Sequence, residues 1–220
     1  MTLWLYNKAS QRYNVTREGA DALGIKPGTF IGQASRVELR DAWTEAQKAV
    51  TDKLARDYDS GRITLSEWVM GMRQENRVNY VEQYLLGKGG RNNMTQADWG
   101  RIGNAVRRQN EYLQNFANDL MTREPPLTLA QIEARSRMYV DGSTAMYERA
   151  NALAKGMPDL PAYPGDGQTQ CKTNCKCHWQ IVEKEATWEA TWILEPAAEH
   201  CDDCIANAGQ WAPLVVAKAN

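Results

Sequence analysis

The stretch from position 171 to 204 reads CKTNCKCHWQIVEKEATWEATWILEPAAEHCDDC, and it contains all five cysteines and both histidines of the chain. Its thiols form two groups, Cys171-x-x-x-Cys175-x-Cys177 and Cys201-x-x-Cys204, which are separated by alternating tryptophan and polar residues. A tetrahedral zinc site needs such a layout, because each turn donates a close pair of ligands and the intervening strands bring the pairs together. The sequence therefore predicts a small module whose folding energy comes partly from a bound zinc ion.

Five cysteines exceed the four positions around one tetrahedral zinc ion, so one thiol is left over. We expect the ligands to be two close pairs of thiols, Cys175, Cys177, Cys201 and Cys204. Cys171 is the alternative ligand for one of these positions, and His178 and His200 are expected beside the metal rather than on it. The same residues also allow a disulfide with a free thiol, or reduced thiols that are buried as small apolar side chains.

The composition of the 220-residue chain allows one or two domains and a sizeable core. With 26 lysine and arginine residues against 27 aspartate and glutamate residues, the net charge is −1. Such a balance creates no overall field that attracts nucleic acid or an anionic membrane. The start of the chain lacks a secretory apolar region, and no apolar run approaches the roughly 20 residues of a membrane span. We therefore expect a cytoplasmic chain with reduced thiols, which favours a metal over disulfides.

Four helix starts divide the region from 34 to 157. Each is a capping box, in which a serine or threonine is followed three residues later by an acidic residue or glutamine. The capping residues are Ser35, Thr64, Thr95 and Thr128. Apolar residues recur at helical spacing after each box, and each run ends near glycine or proline, at Gly61, Gly87–Gly90, Pro125–Pro126 and Gly156. The pattern predicts a helical domain of about four long helices over 34–157.

Glycine and proline are frequent on both sides of this helical domain. Residues 1–33 are expected to form an irregular arm with a short extended start at Leu3–Tyr6, and residues 158–170 are expected to form a linker. The remaining segment, 171–220, is the predicted zinc module. The expected fold is therefore mainly α, with a helical N-terminal domain and a small C-terminal zinc-stapled β-hairpin module that includes a short helix.

Within the predicted zinc module, apolar residues alternate with polar ones, which is typical of a two-stranded ribbon. Trp179, Trp188 and Trp192 fall on one face of this ribbon, and they are expected to bind a partner protein because exposed aromatic patches mark interfaces. A short helix over 197–208 and an apolar tail over 211–216 are expected to follow.

No catalytic constellation stands out in the sequence. Both histidines belong to the cysteine-rich stretch, so no Ser/His/Asp or Cys/His set remains beside an intact metal site. The carboxylates of Asp202-Asp203 and the arginines Arg101, Arg107 and Arg108 are expected to lie on solvated surfaces. We therefore expect a protein that is not an enzyme.

Four short motifs follow one another along the chain up to the first three cysteines. In order they are Ala134-Arg135-Ser136-x-Met138-Tyr139, Tyr147-Glu148-Arg149-Ala150-Asn151, Asp166-Gly167-x-Thr169-x-Cys171 and Asn174-Cys175-Lys176-Cys177. This combination resembles the tailed-phage minor head proteins, the head-morphogenesis family related to the Mu-type minor head protein. Members of that family have helices followed by a C-terminal module around an Asn-Cys-Arg-Cys element. The resemblance covers chiefly 130–210. Lys176 replaces the arginine, and no histidine lies between Asp166 and Cys171, where the family commonly carries one.

The resemblance implies a low-copy structural protein of the phage head, located in the virion and in the host cytoplasm during assembly. Its expected partners are portal or capsid proteins, with a homo-oligomer as a further option and no membrane. One alternative is a zinc-ribbon protein that binds nucleic acid through Lys172, Lys176 and Arg107-Arg108. Another is a thiol-redox enzyme that uses Cys201 or Cys204.

Overall fold

The body of the protein is a set of long helices. The computed structural model describes residues 4–7, 9, 12–23, 26–31 and 36–218. Within this part of the chain, four helices of 24 to 27 residues follow one another: α2 (Arg36–Asp59), α3 (Leu65–Lys88), α4 (Gln96–Thr122) and α5 (Leu129–Ala154). A short helix α1 (Arg17–Leu23) precedes them and α6 (Asp202–Gln210) follows. The predicted mainly helical fold is confirmed, and none of the described helices combines the length and apolarity needed to cross a bilayer.

Capping boxes open three of the long helices. The hydroxyls of Thr64, Thr95 and Thr128 each accept a hydrogen bond from the backbone of the residue three positions on, whose side chain bonds back to the threonine amide. This exchange satisfies amide groups that have no partner inside a helix. The three predicted starts are confirmed, whereas the predicted cap at Ser35 lies outside the described residues.

Helix α5 lies at the centre of the helical body and packs against both α2 and α3, while α4 packs on α3. Helices α3 and α5 approach each other closely at Gly87, where an added Cβ would lie 2.5 Å from the Tyr147 carbonyl oxygen. The sequence predicts Gly87 as part of a helix stop, but the helix continues to Lys88, and Gly89 ends it in a left-handed conformation with φ 82°. Gly87 therefore serves interhelical packing rather than termination.

The N-terminal segment forms a small sheet together with α1, so the predicted irregular arm is wrong for its described residues, whereas the predicted extended start corresponds to β1. Strands β1 (Trp4–Asn7), β2 (Arg12–Val15) and β3 (Phe30–Ile31) are antiparallel in the order β1-β2-β3. The rings of Trp4 and Trp43 meet edge to face with centroids 5.6 Å apart, so the sheet packs on α2. Gly28 lies in the turn before β3 with φ 75°, whereas Gly19 lies inside α1, and sequence periodicity cannot resolve elements this short.

The C-terminal segment contains a second antiparallel sheet, formed by β4 (His178–Glu183), β5 (Thr187–Ile193) and β6 (Leu214–Ala217) in that order. The predicted ribbon corresponds to β4 and β5. The predicted apolar tail is instead the third strand, because it returns beside the second edge of β5 and satisfies its backbone groups. The predicted helix over 197–208 begins later, at Asp202, because Cys201 has the extended backbone of an N-cap residue.

The segment 158–170 has no helix or strand, but it is not a free linker. Leu160, Ala162 and Tyr163 are buried in the core of the C-terminal sheet, and the Ala162 carbonyl accepts a hydrogen bond from Trp179 Nε1 at 2.9 Å. Proline and glycine here end α5 and shape a packed coil. The sheet therefore obtains part of its cover from this segment.

Candidate metal centre

All five cysteines belong to the described part of the chain, are free thiols, and gather at one end of the C-terminal sheet. Their sulfur atoms form two groups of three within 4.8 Å of one another, Cys171 with Cys201 and Cys204, and Cys175 with Cys177 and Cys204. Cys204 belongs to both groups: its Sγ lies 3.6 Å from Cys171 Sγ and 3.5 Å from Cys175 Sγ. We call this set of thiols the cysteine cluster.

The cysteine cluster has the chemistry and the dimensions of a site for a soft metal ion. A tetrahedron with Zn–S bonds of about 2.3 Å has sulfur–sulfur edges of about 3.8 Å. The shortest separations in the cluster, 3.5 and 3.6 Å, are close to that length. The residues present therefore fit a metal such as zinc, which thiolates prefer.

Two short pieces of structure position the thiols. Cys171 and Cys175 flank a 3-10 turn over Lys172–Asn174, while Cys201 caps α6 and Cys204 lies in its first turn. A spacing of two or three residues between cysteines places both sulfurs on the same side of a tight turn. The two turns therefore face one another across the cluster.

A carboxylate tied to the cluster was not expected from the sequence. Asp203 Oδ2 accepts a hydrogen bond from the Gln170 amide at 2.7 Å, which joins the turn before Cys171 to α6. Asp202 and Asp203 are expected on a solvated surface; Asp202 is exposed, and the partly exposed Asp203 has this bond to Gln170 in addition. The two residues are far apart in sequence, so no local pattern indicates this contact.

The thiols differ in their tendency to ionise. Burial raises the pKa of Cys175 to about 12, against a partial opposing effect from the Cys177 backbone amide. Burial and neighbouring thiols raise the pKa of Cys204 as well. Burial would also raise the pKa of Cys201, but hydrogen bonds from backbone amides and neighbouring thiols outweigh burial and lower it. A bound cation stabilises thiolates, so metal binding would release protons from this cluster.

The histidines lie at the edge of the cluster. His200 Nδ1 is 3.8 Å from Cys177 Sγ, and His178 is an exposed residue at the start of β4. Neither histidine belongs to the two groups of closely spaced ligand atoms among the described residues. Both histidines therefore lie outside the two groups of thiols, and their expected place beside the metal stays a prediction.

The tryptophan face of the sheet is not exposed, which corrects the prediction that Trp179, Trp188 and Trp192 bind a partner. Their exposed fractions are 6%, 8% and 1%. Trp211 packs against Trp179 and Trp192 with ring centroids 5.3 and 5.7 Å apart. The sheet needed a cover, as expected of a marginally stable hairpin, but the chain itself supplies it through α6, β6 and the packed coil.

A cavity of about 650 Å³ lies between α2, α5 and the turn that carries Cys175. Two ion pairs line it: Arg40 donates to Glu148 Oε1 at 2.7 Å, and Lys48 Nζ lies 2.9 Å from Asp141 Oδ1. Burial raises the pKa of Glu148, although the charge of Arg40 opposes this effect. These four charges compensate one another and connect α2 to α5 beside the cysteine cluster.

Comparisons with known proteins return nothing for this chain: no family model, no curated protein and no solved structure matches it. The fold and the site define a mainly helical protein with small antiparallel sheets and a cysteine cluster that could hold a metal ion.

Proposed function

We propose that the chain is a non-enzymatic structural protein of a tailed-phage head, whose cysteine cluster binds one structural zinc ion. The observation that carries the proposal is the convergence of thiols from two turns that are about thirty residues apart in sequence. Thiolates at this separation repel one another unless a cation lies between them. A zinc ion removes that conflict and contributes folding energy.

The zinc would hold the C-terminal sheet to the helical body. The turn between Cys171 and Cys175 rests on α5, where a Cβ at Gly142 would come within 3.0 Å of Thr173 Cγ2. The other pair of cysteines belongs to α6, which packs on β5. An ion bound by both turns therefore connects α5, the sheet and α6 into one unit.

The assignment to a phage head rests on the resemblance over 130–210. Tyr147 and Ala150, from the helical motifs, are buried where α5 packs on its neighbours. Cys175, from the Asn-Cys-Lys-Cys element, belongs to the cysteine cluster. These motif residues belong to the scaffold, and the resemblance is what implies portal or capsid protein as the partner.

The metal part is tested by elemental analysis of the full chain purified without added zinc. We expect about one zinc per chain, a lower melting temperature after chelation, and loss of zinc in Cys204→Ser. Asn207→Ala, in the same helix, is the matched control and keeps the metal. A metal-free wild-type protein that is equally stable with and without chelator would refute this part.

The phage part is tested separately, by mass spectrometry of purified heads and by binding of the protein to purified portal and capsid proteins. Presence in heads together with binding to either partner supports the proposal. Absence from heads refutes it. Binding to DNA that weakens steeply with salt would favour the nucleic-acid alternative, and a redox activity lost in a folded Cys201→Ser variant would favour the enzyme alternative.

A further inference from the structure

The cysteine cluster offers two thiols for one position on the metal. Cys175, Cys201 and Cys204 come from both turns, and either Cys171 or Cys177 can complete a set of four. The expectation from sequence is Cys177. The surroundings of the two competing sulfur atoms distinguish between them.

Cys171 is directed into the cluster. Its sulfur lies within 4.8 Å of those of Cys201 and Cys204, and it also interacts with the thiol of Cys175. Its sulfur lies 3.6 Å from that of Cys204, close to the edge length of a zinc–thiolate tetrahedron. The Cys171-x-x-x-Cys175 spacing also falls in the range of two to four intervening residues that is usual for a zinc-binding turn, whereas Cys175-x-Cys177 falls below it.

Cys171 is also held in place without the help of a metal. The amide of Gln170 donates to Asp203 on α6, and Thr169 Oγ1 lies 3.2 Å from Cys171 Sγ. These contacts keep the sulfur opposite Cys204 before any ion binds. Preorganisation of a ligand by surrounding hydrogen bonds is a usual feature of metal sites.

Cys177 has different neighbours. It directly precedes β4, whose register is fixed by the pairing of His178 with Ile193, and its sulfur lies 3.8 Å from His200 Nδ1. Its sulfur lies within 4.8 Å of those of Cys175 and Cys204, and its backbone amide donates to the sulfur of Cys175. An amide directed at a thiolate stabilises the negative charge that the metal requires.

From these contacts we infer that the metal is held by four thiolates, Cys171, Cys175, Cys201 and Cys204, and that Cys177 is a buried neighbour and not a ligand. The inference rests on the proposed function, since it assumes that the cluster binds zinc. It replaces Cys177 in the set expected from sequence with Cys171. The site would take a soft divalent ion, zinc or its cobalt substitute.

The decisive variant is Cys177→Ala in the full chain, because it leaves the four proposed thiols and no other. We expect it to bind one metal per chain with a dissociation constant within about threefold of the wild-type value. By comparison, loss of an outer-shell partner weakens metal binding by about 10–100-fold. With cobalt in place of zinc, the sulfur-to-cobalt absorption should match that of the wild type, which reports four thiolates. Loss of the metal, or a three-sulfur spectrum, overturns the inference.

Cys171→Ser should weaken binding by more than about 100-fold, since a ligand itself is removed. If this variant does not fold, Cys171→His provides the second measurement, because Cys₃His is an established zinc ligand set. It should bind cobalt with the weaker absorption of three thiolates and one nitrogen, and an unchanged four-sulfur spectrum would overturn the inference. A wild-type protein without metal would instead refute the proposed function, and two metals per wild-type chain would overturn the single four-thiolate site.

Discussion

Replacing Gly87 with alanine tests the contact that holds α3 against α5. The new Cβ would lie 2.5 Å from the Tyr147 carbonyl oxygen, 2.7 Å from Ala150 Cβ and 3.0 Å from the Asn151 amide nitrogen, where ordinary contacts are 3.4–4 Å. Two of these atoms are backbone of α5. They cannot rotate away, so the helices themselves must separate.

The magnitude follows from two opposing effects. Overpacking of a tight contact costs about 1–3 kcal/mol, and alanine's higher helix propensity returns at most about 1 kcal/mol. We expect a net destabilisation of about 1–2 kcal/mol, which lowers the melting temperature of a chain of this size by roughly 2–8 °C.

Gly100→Ala is the matched control, because Gly100 lies inside α4 and nothing is found within 4 Å of its added Cβ. This variant should gain up to about 1 kcal/mol in the free energy of unfolding. Thermal and urea denaturation followed by circular dichroism at the helix band would compare both variants with the wild type. If Gly87→Ala is as stable as Gly100→Ala, the close approach of α3 and α5 is not what determines the residue at position 87.

Two further perturbations test other parts of the fold. Burial would raise the pKa of Asp98, but hydrogen bonds from Tyr84, Thr95 and Lys88 outweigh burial and lower the pKa to about 2. The pKa of an aspartate in the unfolded chain is about 3.9. The Asp98 carboxylate therefore contributes roughly 2 kcal/mol to the free energy of unfolding above about pH 4, and this contribution is lost as the pH falls toward 2. Urea titrations should therefore show a smaller loss of stability between pH 4 and 2 in Asp98→Asn than in the wild type, and equal losses would contradict the assignment. Trp192 is 1% exposed, so Trp192→Ala should lose about 3–5 kcal/mol of unfolding free energy. Trp192→Phe keeps an aromatic ring there and should lose much less, and an equally small loss in both variants would show that the ring is not packed as described.

The cysteine spacing indicates which residues belong to the site, but not which of them share one metal. Cys175 and Cys177 are the closest pair of thiols in sequence, and sequence proximity favours both as ligands. In the fold, the backbone enters β4 after Cys177, and its sulfur lies beside His200. The hydrogen bond between Gln170 and Asp203 brings Cys171 to the cluster, and no local pattern contains that contact.

The tryptophan face of the C-terminal sheet also has a feature that the sequence alone does not determine. Alternation along β4 and β5 correctly places Trp179, Trp188 and Trp192 on one apolar face, since side chains alternate across a strand. Whether that face is covered depends on segments distant in sequence. Ala162 and Trp211 lie on opposite sides of the hairpin in sequence, yet both contact this face.

The sequence by itself determined the long helices and the location of the cysteine cluster, because capping boxes, helical periodicity and turn spacing are local and act within a few residues. Only the tertiary structure decided that Gly87 packs α3 against α5, which segments cover the aromatic face, and which sulfur atoms lie together. These outcomes depend on the close approach of elements far apart in the chain, where the fit of atoms, rather than any repeat in the sequence, sets the energy.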